Sequence, residues 1–236
     1  MKITLLTGRI FNIQKALGFE IKVVKSKTAR KLTLRIDSKA HLPVLTIPKY
    51  CSSKQAVEFA LSHKDWIERN LAKIPSPKRF ADKERFSFFG SEIEICHDSS
   101  LKSGSFLQDN ILHVSGSEEF CHRRVSDFIK RETQKKLLEL SRQKASALER
   151  KVNTVYVKDT KSRWGSCSTN GNLSYSWRLA LAPEFVIDYL ISHEVSHLKH
   201  PDHSRNFWNC VKALCPECAK GKAWLKTHGK ELYAYE

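Results

Sequence analysis

Apolar residues between positions 19 and 50 recur with the period of two that marks strands: Ile21 and Val23, then Leu32, Leu34 and Ile36, then Val44, Leu45 and Ile47. Lys22, Lys25, Lys27, Arg30, Lys31 and Arg35 interleave with them. The stretch predicts a small antiparallel sheet with one basic face. The spacing then becomes helical. Ser52 or Ser53 caps a helix reaching to about Leu71, with Val57, Leu61, Trp66 and Ile67 on its inner side. Two prolines in residues 74–78 break the chain. Short apolar clusters at residues 86–90, 92–95 and 110–114 predict further strands and turns. Residues 119–150 read as one long amphipathic helix, with Val125, Phe128, Ile129, Leu137, Leu138 and Ala147 facing inward. Strand spacing returns at residues 154–157 and 173–177, and Asn170-Gly171 is a hairpin signal between the latter and residues 163–168. A helix follows, opened near Pro183 and stopped by Pro201. A last helix spans residues 204–214, and a short one lies near Lys222. The pattern predicts an α+β fold: β-hairpins plus a helix over residues 1–75, a β segment and the long helix over 76–150, and a C-terminal core over 151–236, together one compact unit.

The helix between Pro183 and Pro201 carries the most specific chemistry. His193 and His197 flank Glu194, Val195 and Ser196 in a His-Glu-x-x-His pattern. Residues four apart share a helix face, so the two imidazoles can hold one metal ion. Glu194 stands beside the first ligand, where a carboxylate can take a proton from metal-activated water. Catalytic zinc takes three protein ligands and keeps one position open. His200 and His203 are the candidates for the third. His200 lies roughly 10 Å beyond His193 along a straight helix axis. His203 follows the stop at Pro201, where the chain can turn back, and is favoured; His200 is then a supporting or surface residue. The bland alternative is a buried helix with two hydrogen-bonded histidines. Four histidines and a glutamate within residues 193–203 argue against it. Imidazole suits zinc, with Ni2+, Co2+ or Mn2+ as other divalent choices.

Composition adds a core and a charge. Hydrophobic residues make up 41% of the 236, enough for packed domains and too many for wholesale disorder. Lysine and arginine number 41 against 25 acids, a net charge of +16, which points to an anionic partner or to a well-solvated basic surface. The basic ribbon of residues 22–35 can track a nucleic-acid backbone non-specifically, but it lacks aromatics for base stacking. No apolar run reaches the roughly 20 residues of a membrane span, and no secretory apolar region follows Met1. Seven scattered cysteines fit a cytoplasmic protein with reduced thiols.

Residues 163–168, Trp177-Arg178-Leu179, Pro183, and residues 189–204 followed by Phe207-Trp208 resemble the YgjP-like metallopeptidase family. In the N-terminal half, residues 25–31, 34–37, Ile47-Pro48 and 64–67 are similar to comparable elements of that family. The resemblance covers most of the chain. It implies a zincin-like core of the gluzincin or SprT type, with the third ligand in a His-Ser-x-x-Phe-Trp segment that maps onto His203. Residues 38–43 depart from the family's Gly-containing hairpin, and Cys215 with Cys218 gives two cysteines where one is expected. Members of the family are also associated with metal-dependent hydrolysis of nucleoside triphosphates.

Other residues invite roles. Arg163, Trp164, Gly165, Ser166 and Arg178 are candidates for substrate binding, Trp164 to Ser166 as an edge strand pairing with an extended peptide and the cations, with Lys161, as anion holders. Each has a bland counterpart, a packing turn or solvated charge. Cys210, Cys215 and Cys218 offer a second metal or redox site, or simple packing. Cys167 packs near the site or acts as a nucleophile. Tyr175, Tyr189, His228, Tyr233 and Tyr235 are candidates for stabilising an oxyanion. The expected function is a zinc-dependent metallopeptidase with Glu194 as general base. The alternatives are a nucleoside triphosphate phosphohydrolase on the same site, and a basic nucleic-acid-binding protein with a structural metal.

Overall fold

The structure, a computed structural model, describes residues 17–37, 42–74, 76–102, 104–160 and 163–235. Lys161 and much of the turn expected within residues 38–43 lie outside them. The fold is α+β, with three small sheets, and the chain divides into two compact units at Pro75.

In the first unit, β1 (Lys22–Ser26), β2 (Thr33–Asp37) and β3 (Leu42–Pro48) form a sheet of order β1-β3-β2. The sheet is mixed rather than antiparallel: β3 pairs antiparallel with β2 but parallel with β1. The apolar run Val44-Leu45, buried in β3, marks a central strand, and both neighbours reach it from the same side of the sequence. The basic side chains of residues 22–35 are exposed, as expected. Helix α1 (Ser53–Ser62) is capped by Ser52, whose hydroxyl accepts from Gln55 N while Gln55 accepts from Ser52 N, a complete capping box. The helix expected to run to Leu71 is interrupted at His63 (φ −109°, ψ 13°) and resumes as α2 (Lys64–Leu71). Val57 and Ile67 are buried, but the break turns Leu61 and Trp66 outward, to 41% and 37% exposure.

The second unit begins with β4 (Arg85–Phe88), β5 (Ser91–Asp98), β6 (Ser105–Gln108) and β7 (Ile111–Ser115), in the order β4-β5-β7-β6. The two-residue turns Phe89-Gly90 and Asp109-Asn110 have positive φ at both positions, which matches the strand twist of tight hairpins. Helix α3 (Cys121–Ser146) follows, 26 residues long. Ala147, expected to face inward, is exposed beyond the helix end, and Ala145 takes the buried position. A third sheet joins β8 (Thr154–Lys158), β9 (Gly165–Cys167) and β10 (Asn172–Ser176) in the order β8-β10-β9. Asn170-Gly171 makes the β9–β10 hairpin, and β10 runs parallel to β8. Helices α4 (Glu184–Ser196), α5 (Arg205–Leu214) and α6 (Cys218–His228) complete the unit. α3 packs against β7, β8 and α4, so residues 76–235 share one core that runs from Phe80 through Ile129 and Leu173 to Leu190. Among the described residues no helix is long and apolar enough to cross a membrane.

Candidate metal centre

Helix α4 is buried on nearly every side: Val186, Ile187, Leu190, Ile191 and Val195 belong to the main core, and Ser192 and Ser196 are fully covered. The two serines donate to the carbonyls of Asp188 and Ser192 at 2.7 Å, so small polar residues enter the core without orphaned hydroxyls. Pro183 stands at the N-cap, where its missing N–H costs nothing. Lys144 of α3 binds Asp188 of α4 at 2.7 Å and the Leu214 carbonyl at the end of α5 at 2.8 Å. One ammonium thus ties together the helices around the site.

His193 and His197 leave this helix on one face and are half-buried. The helix ends at Ser196, and the chain turns through Pro201 to bring exposed His203 back. Ligand atoms of His193, His197 and His203 all lie within 4.8 Å of one another, and the Nε2 atoms of His193 and His203 are 3.2 Å apart. Two nitrogens sharing a tetrahedral zinc at its usual bond length stand roughly 3.3 Å apart. The donor set therefore fits a zinc-like ion: three imidazoles, and among the described residues no fourth His, Cys, Asp or Glu in the group. His200 does not join them. Its backbone carbonyl accepts a hydrogen bond from His197 Nδ1 at 3.1 Å, which fixes that ring and leaves Nε2 free to bind.

His193 is held differently. Its Nδ1 is buried without a hydrogen bond, and the ring is positioned by packing. Phe207, fully buried on α5, contacts all three imidazoles, at centroid distances of 4.9, 4.4 and 4.8 Å from His193, His197 and His203. In the sequence Phe207 stood out only within the His-Ser-x-x-Phe-Trp segment of the family resemblance, with no role attached to it. Burial, then the neighbouring histidines and Lys222, lowers the His193 pKa to about 4, and burial also lowers that of His197. Neutral imidazole is the metal-binding form.

Glu194, the next residue along the helix, is buried at 5% exposure and lines the same cleft as His193. Its carboxylate lies against Gly165 of β9, where a Cβ would stand 2.4 Å from Oε1. Only glycine leaves room for it. Burial raises the Glu194 pKa to about 7, with nearby Arg163 acting in the opposite sense. This cleft, of about 350 Å³, is reached by Trp164, Gly165, Tyr189, His193, Lys222 and Lys226.

The remaining expected residues divide. Trp164 and Gly165 line the cleft, and exposed Arg163 is close enough to influence Glu194. Ser166 belongs to the same strand but does not line the cleft. Arg178, expected to hold an anionic substrate, is instead a core residue at 5% exposure. Its Nε donates to the Tyr235 carbonyl at 2.8 Å, it pairs with Asp159, and it lies over the rings of Trp177 and Tyr233. Of the oxyanion candidates, Tyr189 lines the cleft. Tyr175 is buried with its hydroxyl on Ser141, His228 pairs with Glu231, Tyr233 packs on Trp164, and Tyr235 stacks on Phe80. Burial, then the Glu194 charge, pushes the Cys167 thiol up to about 11, which keeps it protonated and unsuited to nucleophilic attack. Cys215 and Cys218 are buried beside Tyr189 and Phe207, and among the described residues they form no metal-holding group with Cys210.

A family model described as YgjP-like, metallopeptidase domain, matches residues 30–228 of the chain. Among solved structures, the metallopeptidase zymogen abylysin of Pyrococcus abyssi is similar at 24% identity, over 39% of this chain and 93% of that one, with a TM-score of 0.33. That likeness is too loose to bear on the site. Curated protein sequences give no match.

Proposed function

The chain belongs to the YgjP-like metallopeptidase family and is a metallohydrolase, and from that premise we propose that it is a zinc-dependent peptidase with His193, His197 and His203 as metal ligands and Glu194 as general base. The observation that carries this reading is the convergence of the three imidazoles beside a buried carboxylate at one end of an open cleft. When bound, the metal supplies Lewis acidity, which polarises the scissile carbonyl and acidifies water. The protein does the rest. Glu194 takes a proton from the attacking water on its carboxylate and returns it to the leaving nitrogen. Gly165, with no Cβ, lets that carboxylate stand against β9. Arg163 restrains the rise in its pKa. β9 is an outer strand of its sheet, so an extended peptide can lie along it by backbone hydrogen bonds. Tyr189 is the side chain we assign to the oxyanion, because it lines the cleft next to His193.

The nucleotide phosphohydrolase reading keeps Arg163 but loses Arg178, whose guanidinium is engaged inside the core. The structural-metal reading needs a closed site, and among the described residues the three-histidine group has no fourth His, Cys, Asp or Glu beside it. The test is turnover by metal-loaded protein and by Glu194→Gln, with unfolded protein and nucleoside triphosphates as parallel substrates and metal counted in both proteins. Peptide cleavage lost in the variant at unchanged metal content is the expected result. Glu194-dependent release of phosphate or pyrophosphate with no peptide cleavage would overturn the peptidase assignment.

A further inference from the structure

The cleft beside the candidate metal centre has an uneven electrostatic lining. Its floor is apolar, made by Trp164, Leu190 and Leu225, and among the described residues Glu194 is the one acidic group lining it. Its rim carries Lys222 and Lys226, four residues apart on α6 and therefore one turn apart on the same face. Their position follows from Gly221. A Cβ at that residue would stand 2.5 Å from Tyr189 Cβ and 3.1 Å from the Phe185 carbonyl oxygen, so the α6 backbone lies directly against α4. Any larger side chain would lift the helix and its lysines away from the cleft. Lys222 is held further by Trp208, with its ammonium 4.3 Å from the ring centroid, a cation–π contact that fixes the side chain without neutralising it. Among the described residues neither lysine forms an ion pair with a carboxylate. Two unpaired ammoniums thus border an apolar pocket that ends at His193 and Glu194.

We propose that Lys222 and Lys226 are specificity-determining residues, selecting peptides that place an acidic side chain beside the scissile bond while a neighbouring apolar side chain fills the floor of the cleft. The charge complementarity is specific to one side of the site, because both lysines project from α6. An aspartate or glutamate there replaces the carboxylate partners that the protein itself withholds. Apolar contact with Trp164 and Leu225 gives such a peptide affinity, and the lysine pair decides which peptide is preferred. This inference rests on the peptidase reading above, and the experiment separates the two.

The probes are two C-terminally amidated peptides, identical except for Asp against Asn next to the cleavage site that the metal-loaded protein makes in an unfolded substrate. The expected ratio of kcat/KM, acidic over neutral, is about tenfold, the upper range of what two partly solvated ion pairs supply. It falls toward one in Lys222→Ala/Lys226→Ala and shrinks at high salt. Mass-spectrometric mapping of sites in the unfolded substrate shows the same acidic enrichment disappearing in the variant. A ratio near one in the unmodified protein, or an acidic preference that survives both substitutions, overturns the proposal while leaving the peptidase reading intact. Fluorescence anisotropy with labelled acidic and neutral peptides, drawn from the cleaved region or from an acidic-apolar library if nothing is cleaved, covers the other case. Acid-selective binding to Glu194→Gln, lost with the lysines, upholds the recognition surface even without turnover. No selective binding, or displacement by ATP with ATP hydrolysis in its place, overturns it.

Discussion

The contact between Gly165 and Glu194 makes the sharpest prediction. The Gly165 backbone does not adopt the left-handed conformation, so alanine is compatible with its main chain, and the whole effect of Gly165→Ala is the added methyl group. That carbon would stand 2.4 Å from Oε1 of Glu194 and 2.7 Å from both its Cδ and Cγ. Ordinary contact requires about 3.4 Å or more, so the carboxylate must retreat by about 1 Å. Glu194 lines the cleft, so part of the shift can be taken up there, and the cost falls chiefly on where the carboxylate stands. Overpacking of this kind costs about 1–3 kcal/mol of stability. A 1 Å displacement of a reacting group costs about a hundredfold in rate, equivalent to about 2.7 kcal/mol of barrier.

Gly165→Ala should therefore lower kcat by about two orders of magnitude on a peptide substrate while the metal content stays at the unmodified level, since none of the three imidazoles is touched. Combining it with Glu194→Asp, which withdraws the carboxylate by one methylene, should give a loss smaller than the product of the single losses. Combining it with Glu194→Gln should add nothing. Steady-state kinetics with metal analysis and thermal melting reads all of these. An alanine variant with full kcat, or one whose activity falls only in step with lost metal, would refute the role given to the pair.

Three further outcomes follow from the same structure. His203→Ala should weaken zinc binding by more than about a hundredfold, beyond the span of losing one supporting hydrogen bond, whereas His200→Ala should retain it because His200 acts through its backbone carbonyl; competition with a chelator measures both. In the metal-free protein the folded-state pKa of Glu194, about 7, lies above its ordinary 4.5, so this group costs stability increasingly as pH rises through that window. His193, lowered to about 4, acts oppositely as pH falls, so the comparison must be with Glu194→Gln: the variant's advantage should grow from near zero at pH 4.5 to about 3 kcal/mol above pH 7, and a pH-independent difference in denaturant melts would contradict it. Arg178→Met should cost about 2 kcal/mol, roughly 4–8 °C in Tm, and leave kcat/KM unchanged well below the melting temperature, whereas a selective loss of kcat/KM would restore a substrate role.

What could be read from the sequence was whatever depends on near neighbours. The four-residue spacing of His193 and His197 and the tight turn at Asn170-Gly171 are local, and each has its expected place in the structure, whereas the helix expected to run to Pro201 already ends at Ser196. The long helix and most strands of the second unit follow from periodicity in the same way, but the short strand β6 was not expected. The mixed first sheet does not, because a period of two is the same for parallel and antiparallel neighbours. Arg178 looked like an anion holder for substrate because its partners, Asp159 and the Tyr235 carbonyl, lie 19 and 57 residues away. Lys222 and Lys226 carried no signal at all. They become cleft residues only because Gly221 admits Tyr189, a contact between two helices more than thirty residues apart in the chain.

The same division explains how the site can be open and yet rigid. An open metal site needs a free coordination position, so its ligands cannot all be fixed by a closed coordination shell. Here the rigidity comes from behind. α4 is largely buried, with Val186, Ile187, Leu190, Ile191 and Val195 in the core, and Phe207 presses the three rings from α5. The Lys144 ammonium then fixes α5 against α4 by holding Asp188 and the α5 C-terminal carbonyl at once. His203, the proposed third ligand, is exposed and lies furthest along the chain from α4, so its position depends most on how α5 is held. Lys144 lies well away in sequence, in a helix with no catalytic residue, and replacing it frees both of its partners together. The burden of aligning the third ligand thus falls on the packing of α3, α4 and α5, and the exposed loop that carries His203 needs little rigidity of its own.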